Sequence, residues 1–148
     1  MEERFLLKQV QPAAFKAMLA LEEYLAATDI SPLHMEMIRV RASQLNGCAY
    51  CLDKHSQDAL TAGETAQRLY LLPVWKESPQ FSEAERIILT MVEEITHISK
   101  AGLTDGTYAK ALAQFGQETT TQLIMAVVTI NAWNRIGISS RRIPGQHH

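Results

Sequence analysis

Apolar residues return at three- and four-residue steps along nearly the whole chain, and helix start and stop signals separate the runs. Between residues 12 and 28, Phe15, Met18, Leu21 and Leu25 mark one helix face, widened by Leu19, with Glu22 and Glu23 on the solvated side. Ser31 followed by Pro32 opens a second helix: a hydroxyl at the N-cap, then a residue that needs no N–H. Its apolar positions, Leu33, Met37, Ile38, Val40 and Leu45, carry it to about residue 45. Asn46 and Gly47 end it, because both accept a positive φ. A third helix is expected from about 48 to 62, stopped by Gly63, and a short helical piece over 64–71. Pro73 and Pro79 bracket a connection expected to be non-helical. Ser82 and Glu85 form a capping box opening an apolar helix to about 99. Residues 104–115 make a further helix closed by Gly116, and residues 118–136 make the last. Residues 125–130 are rich in strand formers but sit inside a long stretch without turn signals, and no period-two run is bounded by hairpin turns.

An all-α fold follows. A chain of 148 residues can bury one real core and is too short for two ordinary domains, so a single domain over residues 1–148 is expected. The last helix is apolar on more than one side (Leu123, Ile124, Val127, Val128, Ile130, Trp133, Ile136), which fits a central core helix or a subunit interface. With 14 Lys+Arg against 16 Asp+Glu, no basic field collects nucleic acid. Arg135, Arg141 and Arg142 are too sparse for a polyanion site and read as a solvated helix end. No apolar run reaches the ~18–20 residues of a membrane span. The first ten residues, with Glu2, Glu3, Arg4 and Lys8, lack the pattern of a secretory leader. A cytoplasmic protein is expected.

In a reducing compartment two cysteines make a poor staple, so the spacing of Cys48 and Cys51 needs a chemical reason. The pair follows the Asn46–Gly47 turn and opens a helix, where free N–H groups favour a thiolate. A disulfide across two intervening residues constrains little of the unfolded chain and suits a reversible switch. His55 follows Cys51 by four residues and Cys48 by seven, so all three share one helix face. If the turn folds the two helices antiparallel, Glu36 lies roughly 16 Å from it and His55 roughly 13 Å, at ~1.5 Å rise per residue. Cys51, at about 7 Å by the same rise, is too close to the turn to meet Glu36. The expected order is Glu36 to His55, then His55 to the sulfurs. Two plainer readings remain: a small buried apolar pair, or metal ligands with His55 and Glu36, although structural zinc wants four ligands and no second Cys or His pair of that kind exists. His34 and His97 are expected to be surface or satisfied residues, and Trp75 and Trp133 packing residues, with Trp75 a candidate cover for the thiol pocket. His147 and His148 are given no role.

Glu36, eleven intervening residues, Cys48-x-x-Cys51, three residues and His55 together resemble the signature of the AhpD-like (alkylhydroperoxidase) branch of the carboxymuconolactone decarboxylase superfamily. The likeness is strongest over residues 12–63, and residues 131–136 look like the end of small AhpD-like peroxidase-related proteins. The resemblance implies an oligomeric helical bundle, trimers and hexamers being common, whose helix–turn–helix carries the C-x-x-C. By it, Cys51 would attack a hydroperoxide, Cys48 would resolve the product to a disulfide, and His55 with Glu36 would relay protons. No metal, haem or flavin is implied; a thiol or lipoyl-type reductant would restore the dithiol. Tyr50 stands where AhpD itself has a His. A decarboxylase-type lyase and a redox sensor or adaptor that oxidises once are the alternative functions.

Overall fold

The computed structural model describes residues 1–145, so His147 and His148 lie outside the described residues. Among these every regular element is helical: α1 (Leu7–Val10), α2 (Pro12–Ala26), α3 (Pro32–Asn46), α4 (Ala49–Thr61), α5 (Ala66–Leu71), a 3-10 turn (Leu72–Glu77), α6 (Glu83–Thr96), α7 (Ile98–Ala101) and α8 (Asp105–Ser140). The caps do what their residue types dictate. Ser31 Oγ accepts the His34 N–H at 3.2 Å, with Pro32 at the first helical position. Ser82 Oγ accepts from the Glu85 N–H at 3.2 Å while Glu85 Oε2 accepts the Ser82 N–H at 2.8 Å, closing the capping box. Gly116, at φ 78° and ψ 170°, interrupts α8 where the sequence predicts a stop.

Three expectations need correction. The connection after Pro73 is largely a 3-10 turn, because a proline is compatible with the first turn of a helix; only Val74 leaves helical dihedrals. The helix from residue 83 ends at Thr96 rather than near 99. Beyond it, Glu94 draws the chain back: its Oε2 accepts the Thr104 N–H at 2.9 Å, and residues 97–103 make a tight connection with the four-residue α7 inside it. At the far end, the last helix runs on to Ser140, past the expected 136.

Two helices hold the core. α3 packs against α4, α6 and α8, and α8 packs against α6, α3, α2 and α4. Their contact is filled by Met37, Ile38, Val40, Leu123, Ala126, Val127 and Ile130, with Leu89, Met91 and Val92 of α6 behind them. α3 is therefore enclosed nearly all round, and even Glu36, Arg41 and Ser43 on it are buried. α2 lies at the edge: only Leu25 is fully buried there, and Phe15, Met18 and Leu21 are half-buried. No described helix is long and apolar enough to cross a membrane.

Candidate active site

The turn between α3 and α4 sets the site. Gly47 takes a left-handed conformation (φ 71°) and its N–H bonds the Ser43 carbonyl at 2.9 Å, ending α3. Asn46 is more than a turn residue. Its Nδ2 donates to Asn131 Oδ1 and to Asn134 Oδ1, both at 2.9 Å, and Asn134 Nδ2 donates to Ser43 Oγ at 3.0 Å. This buried amide network fastens the turn to α8. Asn131 and Asn134 stand three residues apart on one helix face, which is the only local sign of their joint role.

Cys48 is the N-cap of α4, one residue before its first helical position, and its Sγ accepts the Cys51 N–H at 3.3 Å. The two sulfurs are bonded to one another, with the Cα atoms 5.3 Å apart. Both cysteines are buried, but not alike. Cys51 lines a cavity of about 360 Å³ and Cys48 does not. Gly137 of α8 backs the pair: a Cβ there would stand 3.0 Å from Cys48 Sγ and 3.3 Å from Cys51 Sγ. Nothing local marks Gly137 as different from any other helical glycine.

α4 returns antiparallel along α3 and brings His55 to Glu36, Nδ1 to Oε2 at 2.9 Å. Both are largely enclosed, with side chains 13% and 10% exposed. A carboxylate only accepts, so Nδ1 carries the proton and Nε2 is the basic nitrogen of the neutral ring. The other oxygen of Glu36 accepts from Arg39 at 2.5 Å, and Arg39 also donates to Glu22 on α2 at 2.6 Å. Trp133 of α8 donates to Glu22 at 2.8 Å and meets Phe15 edge-on, so its indole both packs and anchors a carboxylate. His55, like Cys51, lines the cavity.

The cavity has apolar walls from Leu6, Phe15, Leu19 and Ile136. Its rim holds a feature that the sequence misses. The first residues of the chain lie against the end of α8, with the Arg4 N–H on the Ser140 carbonyl at 2.8 Å and Glu3 on Arg142 at 2.6 Å. Arg142 stacks over Tyr50 with its guanidinium carbon 4.8 Å from the ring centroid. Burial works against the charge of Arg142, but hydrogen bonds to Tyr50 and Glu3 outweigh it and hold its pKa above the ordinary arginine value. The expected solvated helix end is thus corrected for Arg142, whose side chain is only 14% exposed. Arg135 and Arg141 are exposed.

Trp75 packs, as expected of it, but it does not cover the thiol pocket. It is buried away from the sulfurs, donates to Glu93 at 2.8 Å, and lines a separate cavity of about 290 Å³ beside Lys76, Glu83 and Arg86. His34 is half-buried with Nε2 3.7 Å from Glu85, and His97 caps α6. One group among the described residues brings metal-ligating atoms within 4.8 Å of each other: Glu36, His55 and Asp58. Neither sulfur belongs to it. Asp58 pairs with Lys54 at 2.7 Å, and Glu36 and His55 hold each other.

A family model described as the carboxymuconolactone decarboxylase family matches residues 12–94, more than half of the chain and all four signature positions. The chain belongs to the carboxymuconolactone decarboxylase family. Within that family it is AhpD-like. A structure from Agrobacterium tumefaciens, of a protein of unknown function proposed as an antioxidant defence protein AhpD, has a TM-score of 0.93 at 34% identity and covers 97% of this chain and 98% of that one. The uncharacterized protein YdfG of Bacillus subtilis (strain 168) is 35% identical over 139 residues, 94% of this chain and 95% of YdfG. An uncharacterized peroxidase-related protein of Ralstonia eutropha JMP134, described as an alkylhydroperoxidase AhpD core, has a TM-score of 0.81 over 95% of this chain and 75% of that one; at 17% identity the likeness is one of fold.

Proposed function

We propose that this family member is a thiol-dependent peroxidase that reduces hydroperoxides through a Cys48/Cys51 dithiol–disulfide cycle. The reading rests on one arrangement: Cys51 and His55 open on the same cavity, Cys48 lies behind Cys51 within bonding reach, and His55 is tied through Nδ1 to Glu36. Cys51 attacks as thiolate, its proton taken by His55 Nε2. An S–O bond forms as the O–O bond breaks, the alkoxide leaves with a proton from the His55–Glu36 pair, and Cys51 becomes a sulfenic acid. Cys48, whose sulfur already accepts an N–H at the start of α4, attacks the Cys51 sulfur. The S–S bond forms and hydroxide departs as water. Two electrons and two protons from an external thiol or lipoyl-type reductant restore the dithiol. Each cycle turns one hydroperoxide into an alcohol and water.

The whole of residues 1–148 acts as one domain in this reading, in the cytoplasm and as a homo-oligomer, a trimer or hexamer. Exposed Val128 and Ile138 on α8 supply apolar surface for the contact, and light scattering checks the assembly. The function is tested by steady-state consumption of a panel of hydroperoxides with supplied dithiols. Repeated turnover that Cys51→Ser abolishes supports it. A single equivalent consumed, then nothing, would make the protein a sensor. Lyase activity on a lactone acid that survives the double Cys→Ser change would make it a decarboxylase.

A further inference from the structure

Glu36 divides its carboxylate between two donors, His55 on Oε2 at 2.9 Å and Arg39 on Oε1 at 2.5 Å. Arg39 in turn bridges to Glu22 Oε2 at 2.6 Å, and Glu22 Oε1 is held by the Trp133 indole at 2.8 Å. The run therefore links α8, α2, α3 and α4 and ends on the imidazole. Counting charges along it, Glu22 and Glu36 are negative and Arg39 positive, which leaves one net negative charge beside His55. Those side chains are 30%, 10% and 17% exposed, so their mutual fields are only partly screened by water.

We infer that Arg39 and Glu22 are positioning residues for this site: Arg39 fixes the plane of the Glu36 carboxylate and cancels part of its charge, Glu22 limits that cancellation, and the balance decides how readily His55 takes a proton. A Glu36 left without Arg39 would favour the imidazolium and make the ring harder to return to its basic form. A Glu36 fully cancelled by Arg39 would leave the ring without the partner that stabilises it once protonated. The inference rests on the peroxidase reading for its kinetic consequences alone, because the protonation of His55 can be read without turnover.

Other charged or titratable groups lie beside the ring or line the same cavity. Asp58 Oδ2 lies 3.7 Å from Nδ1 and pairs with Lys54 on the same helix. Cys51 and Tyr50 come from α4, Lys8 from α1, and Arg142, held by Glu3, follows α8. Their charges are common to the parent and its variants, so the comparison between variants reads the change in the run itself.

The test is the imidazole titration of His55, followed by NMR in the reduced protein and its variants. Arg39→Met leaves two negative charges in the run, and the midpoint should rise. Glu22→Gln leaves none, and it should fall. The shift should be roughly half to one pH unit for Arg39, whose guanidinium touches the Glu36 that holds the ring, and smaller for Glu22, which lies one partner further along the run. The double variant has the parent's net charge and should return towards the parent midpoint. Arg39→Lys keeps the charge but loses the two-armed bridge, so its midpoint should stay near the parent's while kcat falls. A purely structural role would lower stability or activity without opposite shifts. Midpoints that do not move, or that move the same way in Arg39→Met and Glu22→Gln, overturn the inference; if Arg39→Met does not fold, Glu22→Gln alone decides by the direction of its shift. Opposite shifts in a protein that turns over no hydroperoxide would sink the peroxidase reading and leave this one standing.

Discussion

Gly137 occupies a position where side-chain volume, rather than backbone freedom, selects glycine. Its φ is helical, so alanine there would gain about 1 kcal/mol of helix propensity. Against that, the new Cβ would meet Cys48 Sγ at 3.0 Å and Cys51 Sγ at 3.3 Å. Cys48 is the less able to yield, since it caps α4 and lies behind Cys51, away from the cavity. Overpacking of this kind costs about 1–3 kcal/mol, which exceeds the propensity gain. Gly137→Ala should therefore lower stability by about 1 kcal/mol in urea denaturation and slow formation of the disulfide. Unchanged stability with a normal disulfide would show that the sulfurs can move. At this scale the sequence is legible where spacing carries the geometry. Glu36 and His55 stand at nearly equal distances either side of the Asn46–Gly47 turn, and the structure brings them to 2.9 Å. Gly137 and Arg142 were not legible, because what gives each its role lies far along the chain: the partner of Arg142, Glu3, is 139 residues away.

Most elements begin and end where local chemistry tells them to, and the break in α8 is the clearest case. Gly116 adopts φ 78° and ψ 170°, a region essentially closed to residues with a Cβ. A Cβ there would meet no neighbour, so the cost of a substitution is one of backbone conformation alone. Gly116→Ala should cost about 1–3 kcal/mol in chemical unfolding. Ser82→Ala, which removes one arm of the capping box, should cost about 1 kcal/mol. A Gly116→Ala protein as stable as its parent would mean that the break adapts. The starts at Pro32, Glu83 and Asp105 and the stop at Asn46 were readable because a cap needs only its own neighbours. The end of α6 was not. It depends on Glu94 reaching Thr104, ten residues on, and no periodicity or turn residue signals that.

Across the whole molecule, buried and half-buried carboxylates tie the helices together, and their titration sets the response to acid. Burial pushes Glu85 upward, but hydrogen bonds from Arg68 and Ser82 and the nearby His34 outweigh it and leave its pKa below the ordinary value. Glu93 behaves alike: burial raises it, and Trp75, Lys76 and Arg41 together bring it lower. Groups depressed in the folded state contribute fully above the unfolded carboxylate pKa of about 4.3, and the contribution is lost as pH falls through the folded values. Stability should hold from pH ~7 to ~5 and decline below. Glu93→Gln should be less stable at neutral pH and lose less on acidification. An equal acid slope in parent and variant would remove Glu93 from the account. The all-α class was readable from periodicity, but the enclosure of α3 was not, since its polar Glu36, Arg41 and Ser43 are buried only because three other helices surround them. The account turns on whether peroxide drives the two sulfurs together. The most direct measurement mixes the reduced protein at neutral pH with one equivalent of cumene hydroperoxide, then alkylates remaining thiols for mass spectrometry. The account predicts loss of two hydrogens, a peptide linked through Cys48 and Cys51, and one equivalent of the alcohol. Both thiols recovered alkylated, with the hydroperoxide intact, would contradict it.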